Sequence, residues 1–144
     1  MLAGIEWLVE AQGCAVDRLQ SLIRLQSVCG EIVRELDLNV VGEPLWHQFP
    51  GPGGVTGLYL LSESHLACHT YPEVGLATFN LYCCRERPNW NWRERLGDAL
   101  RAKSVCVRSV PRGEMIDPLR NEEREENSRS GIPFPRAGVL GISQ

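Results

Sequence analysis

Between Asn39 and Cys84 the chain offers four extended runs in succession, with no helical pattern to separate them. Asn39–Val41 begins the first, which resumes as Leu45–Phe49 after Pro44. Val55–Leu61, Leu66–Tyr71 and Leu76–Cys84 follow. Pro50-Gly51-Pro52-Gly53-Gly54 is a breaker cluster, and Pro72 with Gly75 marks a second turn. Ile5–Val9 reads as an earlier strand closed by Gln12-Gly13, and Val105–Val110 as a last one. Helical spacing occurs on either side of the strand block. Leu19, Leu22, Ile23, Cys29, Ile32, Val33 and Leu36 recur at three- and four-residue steps over Val16–Leu36, although Gly30 weakens that helix. Leu96, Ala99 and Leu100 line the inner side of a second helix over Trp92–Lys103. The order β-α-β-β-β-β-α-β predicts an α+β fold, a largely antiparallel sheet with two helices on one face. The other face must then be polar or covered by a second copy.

The chain of 144 residues fits one domain, and 43% hydrophobic residues suffice for a core. Composition shifts after Pro111, where an acidic-basic run (Glu122–Glu126) replaces apolar periodicity. We expect a domain over 1–111 and a disordered tail over 112–144 that touches the body through Ile132–Phe134. A net charge of −3 gives no electrostatic footprint for nucleic acid. No apolar run approaches the ~20 residues of a membrane span. Glu6 and Glu10 stand where a secretory signal carries positive charge, so the N-terminal stretch reads as a strand and a cytoplasmic setting is expected. The six cysteines include an adjacent pair and mostly sit in apolar segments, which favours packing thiols over disulfides.

The polar break Ser62-Glu63-Ser64-His65 inside the strand block is the feature that asks for chemistry. His47, His65 and His69 lie near Glu63, Ser64, Cys68, Glu73, Cys83 and Cys84. Zinc is disfavoured, because His65 and His69 on an extended segment stand roughly 13 Å apart. Cysteine-dependent acyl transfer lacks a nucleophile at a helix start. On spacing alone, a polar hairpin without chemistry ranks above both. The pleat separates the two adjacent cysteines. Cys83 shares a face with Ala77, Phe79 and Leu81 and reads as core, whereas Cys84 shares one with Thr78, Asn80 and Tyr82 and is the one to meet a site.

The ordered string LSESHLACHTYPEVGLATFNLYCC resembles the signature of the bacterial and archaeal S-adenosylmethionine decarboxylases, which are pyruvoyl-dependent, self-processing proenzymes. The resemblance runs over roughly Ile5–Val110, including His47-Gln48-Phe49 and Gly54-Val55-Thr56-Gly57. It implies that Ser64 attacks the Glu63 carbonyl and turns that peptide bond into an ester. Elimination then leaves dehydroalanine, and hydrolysis leaves a pyruvoyl group at the head of residues 64–144, released from residues 1–63. His69 matches the processing base, as α-proton removal demands. Thr56 stands in the place of a processing serine, with a hydroxyl able to donate to an oxyanion.

The resemblance further implies that the substrate amine condenses with the pyruvoyl carbonyl, an electron sink, and that Cys84 returns the proton. Phe49 and Tyr71 match the aromatic pair that holds adenine, and Glu73 the carboxylate on the ribose hydroxyls. It implies a homodimer of processed two-chain protomers, an αββα sandwich with helices outside and pockets at the interface. The expected reaction is decarboxylation of S-adenosylmethionine to an aminopropyl donor for spermidine synthesis. Departures from the family pattern are Tyr71 for tryptophan, Asn80 for aspartate, Arg85 for glycine, Trp7 for histidine, and a longer Pro50–Gly54 loop. Several of these adjoin the expected pocket. A pyruvoyl-dependent decarboxylase of arginine or ornithine, or an unprocessed homologue without catalysis, are the alternatives.

Overall fold

The computed structural model describes residues 3–113. The tail expected over 112–144, with its Ile132–Phe134 contact, falls outside them except for Arg112 and Gly113. The elements follow the expected order: β1 (Gly4–Gln12), α1 (Val16–Leu19), α2 (Leu22–Glu35), β2 (Leu45–Gln48), β3 (Val55–Leu61), β4 (Ser64–Tyr71), β5 (Leu76–Cys83), α3 (Trp92–Leu100) and β6 (Ser104–Arg112). They form one six-stranded sheet in the order β2-β3-β4-β5-β1-β6. Every strand pair is antiparallel.

Strand ends shift by one to three residues from the sequence reading, and three further differences stand out. The long first helix is two, because Ser21 adopts an extended backbone and caps α2, its hydroxyl accepting from the Arg24 N–H at 3.3 Å. Asn39–Val41 contributes only an isolated bridge from Val40 to Leu61. The second helix stops at Leu100, since Arg101 turns to a positive φ of 54°.

Strict alternation along the central strands sorts the two sheet faces. One face buries Val55, Leu61, Leu66, Ala77, Phe79, Leu81 and Cys83 against Leu25, Cys29 and Ile32 of α2 and Trp92, Leu96 and Leu100 of α3. Thr70 fastens helix to sheet there: its hydroxyl donates to the Leu19 carbonyl at 2.7 Å and accepts from the Val55 N–H at 2.8 Å. Any side chain at Gly54 would collide with the Thr70 backbone, so the start of β3 can close on β4 only with glycine there. Gly75, at φ 65°, turns the chain from β4 into β5. Arg95 of α3 pairs with Glu31 and Glu35 of α2 at 2.6 and 2.8 Å, tying the two helices on the same side.

The opposite face carries His65, Ala67, His69, Thr78 and Asn80, with Leu58 half-exposed and Leu60 63% exposed. No described helix is long and apolar enough to cross a membrane.

Candidate active site

β3 and β4 form a hairpin whose loop is only Ser62 and Glu63, between the paired residues Leu61 and Ser64. Two-residue loops favour turns with positive φ, normally supplied by glycine or asparagine. This loop has neither, and the positive φ falls on Ser64, at 146°. Such a backbone on a residue with a side chain costs about 1–3 kcal/mol and persists only where its surroundings hold it.

The surroundings hold Glu63. Its side chain is 3% exposed. The carboxylate accepts from the Asn39 backbone N–H at 3.1 Å, from Asn39 Nδ2 at 2.7 Å and from Arg87 Nη2 at 3.1 Å. Burial pushes this carboxyl up, but the Asn39 hydrogen bonds and the Arg87 guanidinium outweigh it and bring the pKa down to about 2. The Glu63 carbonyl oxygen is fixed as well, accepting from the Cys84 backbone N–H at 2.9 Å. The peptide bond between Glu63 and Ser64 is therefore clamped on its acyl side and strained on its serine side.

Next to it, His65 Nδ1 lies 3.1 Å from Ser64 Oγ, and His65 Nε2 lies 2.9 Å from Asn80 Oδ1. Asn80 Nδ2 donates to Glu6 at 2.5 Å, and Glu6 pairs with Arg112. Antiparallel register sets up these contacts. His65 faces Tyr82 across β4 and β5, and Glu6 faces Tyr82 across β1 and β5, so Asn80 is the diagonal neighbour of both. Tyr82 fills the space beside them, 5.9 Å edge-on from His65 and 5.4 Å beneath the Arg112 guanidinium. The Asn80 hydrogen bond holds the Glu6 carboxyl below its ordinary value despite the cost of burial, and Arg112 adds to this.

A second cluster occupies the other end of β4. Thr56 and His69 are directly paired, with Thr56 Oγ1 and His69 Nδ1 2.5 Å apart. Tyr71 and Phe49 flank the His69 ring edge-on, at 4.3 and 5.7 Å, and His47 meets Phe49 at 4.6 Å. Glu73 sits exposed in the short 3₁₀ turn Pro72–Val74, beside a shallow cavity of about 510 Å³ shared with Gln20, Pro50 and Pro52. A smaller cavity of about 260 Å³ on the open sheet face includes both His69 and Asn80 in its lining.

The residues predicted from sequence thus fall into two groups. Glu63, Ser64 and Cys84 come together; Thr56, His69, Phe49 and Tyr71 come together elsewhere, with Glu73 two residues beyond Tyr71 beside its own shallow cavity. His69 is five positions along β4 from Ser64, roughly 16 Å at ~3.3 Å per residue. β5 ends at Cys83, which is buried, and Cys84 is exposed just beyond it. The sequence reading did not include Asn39, Arg87, Glu6 or Asn80 among the site residues. Only Asn80 carried a signal, as a polar side chain on the pocket-facing side of β5.

The fold and this hairpin define a class: an α+β protein with a helix-backed antiparallel sheet that presents a strained Glu-Ser bond at a hairpin tip. Comparison with known proteins gives the family. The profile of the S-adenosylmethionine decarboxylase family matches residues 5–113, and the chain belongs to that family. The S-adenosylmethionine decarboxylase proenzyme of Moorella thermoacetica is 33% identical over 112 residues, covering 77% of this chain and 87% of the relative. The proenzyme of Acetivibrio thermocellus is also 33% identical, over 114 residues, covering 78% and 90%. Among solved structures, the adenosylmethionine decarboxylase of Aquifex aeolicus superposes with a TM-score of 0.67 at 27% identity, covering 81% of this chain and 95% of that one.

Proposed function

We propose that the chain cleaves itself between Glu63 and Ser64 and then decarboxylates S-adenosylmethionine through a pyruvoyl group derived from Ser64. The observation that carries this reading is the clamped, strained Glu63–Ser64 bond, with the Cys84 N–H on the carbonyl that Ser64 must attack. Attack by Oγ turns that carbonyl oxygen into an oxyanion. A backbone donor already 2.9 Å away stabilises the developing charge without reorganisation. Collapse to the ester breaks the peptide C–N bond that holds Ser64 at its strained φ, so strain relief favours the forward step.

A pyruvoyl group fits the residues around Ser64. That position begins a strand, follows a carboxylate anchored independently of it, and has Cys84 next to its cross-strand partner Cys83. When present, the group supplies an electrophilic carbonyl for the substrate amine and a sink for the electrons left by decarboxylation. Cys84, exposed at the edge of β5, is the proposed proton donor. Phe49 and Tyr71 offer aromatic faces for adenine and Glu73 a carboxylate for the ribose diol.

The two clusters on β4 support a homodimer. His69 and Thr56 are proposed to assist processing, and within one chain they stand too far from Ser64 to do so. An isologous pairing of two open sheet faces whose two-fold axis crosses the strands brings the His69 end of one β4 against the Ser64 end of the other. The exposed Leu58 and Leu60 suit such a face, and the paired sheets form the αββα sandwich. Six free thiols, four of them buried, support a reducing compartment, the cytoplasm.

Mass spectrometry of the expressed chain tests the first half: two pieces divided between residues 63 and 64, the second blocked by a pyruvoyl group, are expected. Release of CO₂ from S-adenosylmethionine tests the second. CO₂ from arginine or ornithine instead overturns the substrate, and an intact chain overturns the processing.

A further inference from the structure

We infer that His65 is the base that takes the hydroxyl proton of Ser64 in the self-cleavage step, and that Asn80 and Glu6 fix the ring tautomer that lets it do so. This inference rests on the self-processing reading above and adds a residue to it.

The polarity of the hydrogen-bonded chain decides the assignment. Glu6 pairs with Arg112, and its carboxylate, ionised near neutral pH, can only accept. Asn80 must therefore turn Nδ2 toward Glu6, as it does at 2.5 Å, which leaves Oδ1 facing His65 at 2.9 Å. An amide oxygen only accepts, so His65 Nε2 carries the ring proton. In the neutral ring Nδ1 is then bare, and it lies 3.1 Å from Ser64 Oγ. The hydroxyl donates to Nδ1, within the reach a general base needs. The arrangement has the logic of a nucleophile, a base and an orienting group, although its members come from β4, β5 and β1. Tyr82, packed against His65 and under Arg112, holds the ring and the guanidinium in place.

The step balances within the chain. The Ser64 O–H proton moves to His65 Nδ1 as the Oγ lone pair forms a bond to the Glu63 carbonyl carbon, and the carbonyl π pair moves onto oxygen. When the tetrahedral centre collapses, the C–N bond breaks toward nitrogen. The Ser64 nitrogen takes the proton held on His65, leaving ester, amine and neutral imidazole. Removal of the Ser64 α-proton is a later event and is left to His69 as proposed.

The test follows cleavage of newly made full-length chain by denaturing gel and intact mass, with circular dichroism to check the fold. His65→Ala is expected to cleave about 10²-fold more slowly, and added imidazole to restore part of the rate. A structural role alone gives no such rescue. The double variant Glu6→Lys with Arg112→Glu keeps an ion pair between β1 and β6 but reverses the chain's polarity. The ammonium introduced on β1 then donates to Asn80 Oδ1, Asn80 Nδ2 donates to His65 Nε2, and the ring proton is driven onto Nδ1. Cleavage slowed about tenfold or more supports the inference even if His65→Ala misfolds. Wild-type rates in either folded variant overturn it. A wild-type chain that never cleaves overturns the self-processing reading and this inference with it.

Discussion

The Cys84 backbone N–H donates to the Glu63 carbonyl oxygen at 2.9 Å, so in the proposed mechanism one residue gives its main chain to the bond to be broken and its thiol to the finished site. The two contributions separate by substitution. Cys84→Ala keeps the N–H and is expected to cleave at close to the normal rate while decarboxylating poorly. Cys84→Pro removes the donor and is expected to slow cleavage by about 10²–10³-fold, the usual effect of losing one oxyanion contact. Gel-resolved cleavage rates beside CO₂ release distinguish the two.

Strain at Ser64 predicts an inversion of the usual ranking of substitutions. Ser64→Ala and Ser64→Gly both remove the nucleophile, and both chains should stay whole. At φ 146°, however, alanine keeps the Cβ that makes this conformation costly and glycine does not. Ser64→Gly is expected to be the more stable by about 1 kcal/mol, part of the strain relief being offset by the greater freedom of glycine in the unfolded chain. Urea unfolding of the two uncleaved variants measures the difference.

Much of this was legible in the sequence. Alternation over Leu76–Cys83 separated a core Cys83 from an outward Cys84, because a pleated strand backed by helices writes its two faces into the sequence. The element order and the one-sided helical layer were legible for the same reason. The break at Ser21 was not, since apolar spacing runs on through Leu19 and Leu22 while the cap depends on one hydroxyl. The partners of Glu63 were hidden too: Asn39 and Arg87 are loop residues distant in sequence, and no periodicity encodes a loop closing on a carboxylate. His65, Asn80 and Glu6 meet only through diagonal register across three strands, which requires strand order as well as strand content.

The Glu63 anchor makes the uncleaved chain sensitive to acid. Its carboxyl is held at about 2 in the folded chain against an ordinary 4.5, so the folded state favours the ionised form. The resulting stabilisation is fully present above the unfolded value and is lost as pH falls from near 4.5 toward 2. In a Ser64→Ala background, the melting temperature should drop over that window more steeply than in the same chain with Glu63→Gln added. A thermal melt series from neutral pH down to about 2, the folded-state value, is the measurement, and equal slopes would remove Glu63 from the account.

The separation of Ser64 from His69 leads to the most demanding prediction. If each Ser64 is served by the His69 of a second copy, then Ser64→Ala and His69→Ala are defects in different half-sites. Each homodimer should process poorly: the first has no nucleophile, and the second lacks the base for α-proton removal. Co-expressed with distinguishable tags, the two variants form mixed dimers. One of the two sites there combines the intact Ser64 of the His69→Ala chain with the intact His69 of the Ser64→Ala chain. Completed cleavage is therefore expected only in the chain carrying His69→Ala, and in no more than the fraction of it present in mixed dimers. Blotting for each tag reads this directly. A His69→Ala homodimer cleaving at the wild-type rate would mean that His69 takes no part. Cleavage absent from the mixture, in dimers shown to have formed, would mean that His69 acts within its own chain. The roughly 16 Å along β4 would then have to be closed by a rearrangement of the hairpin instead of by a partner.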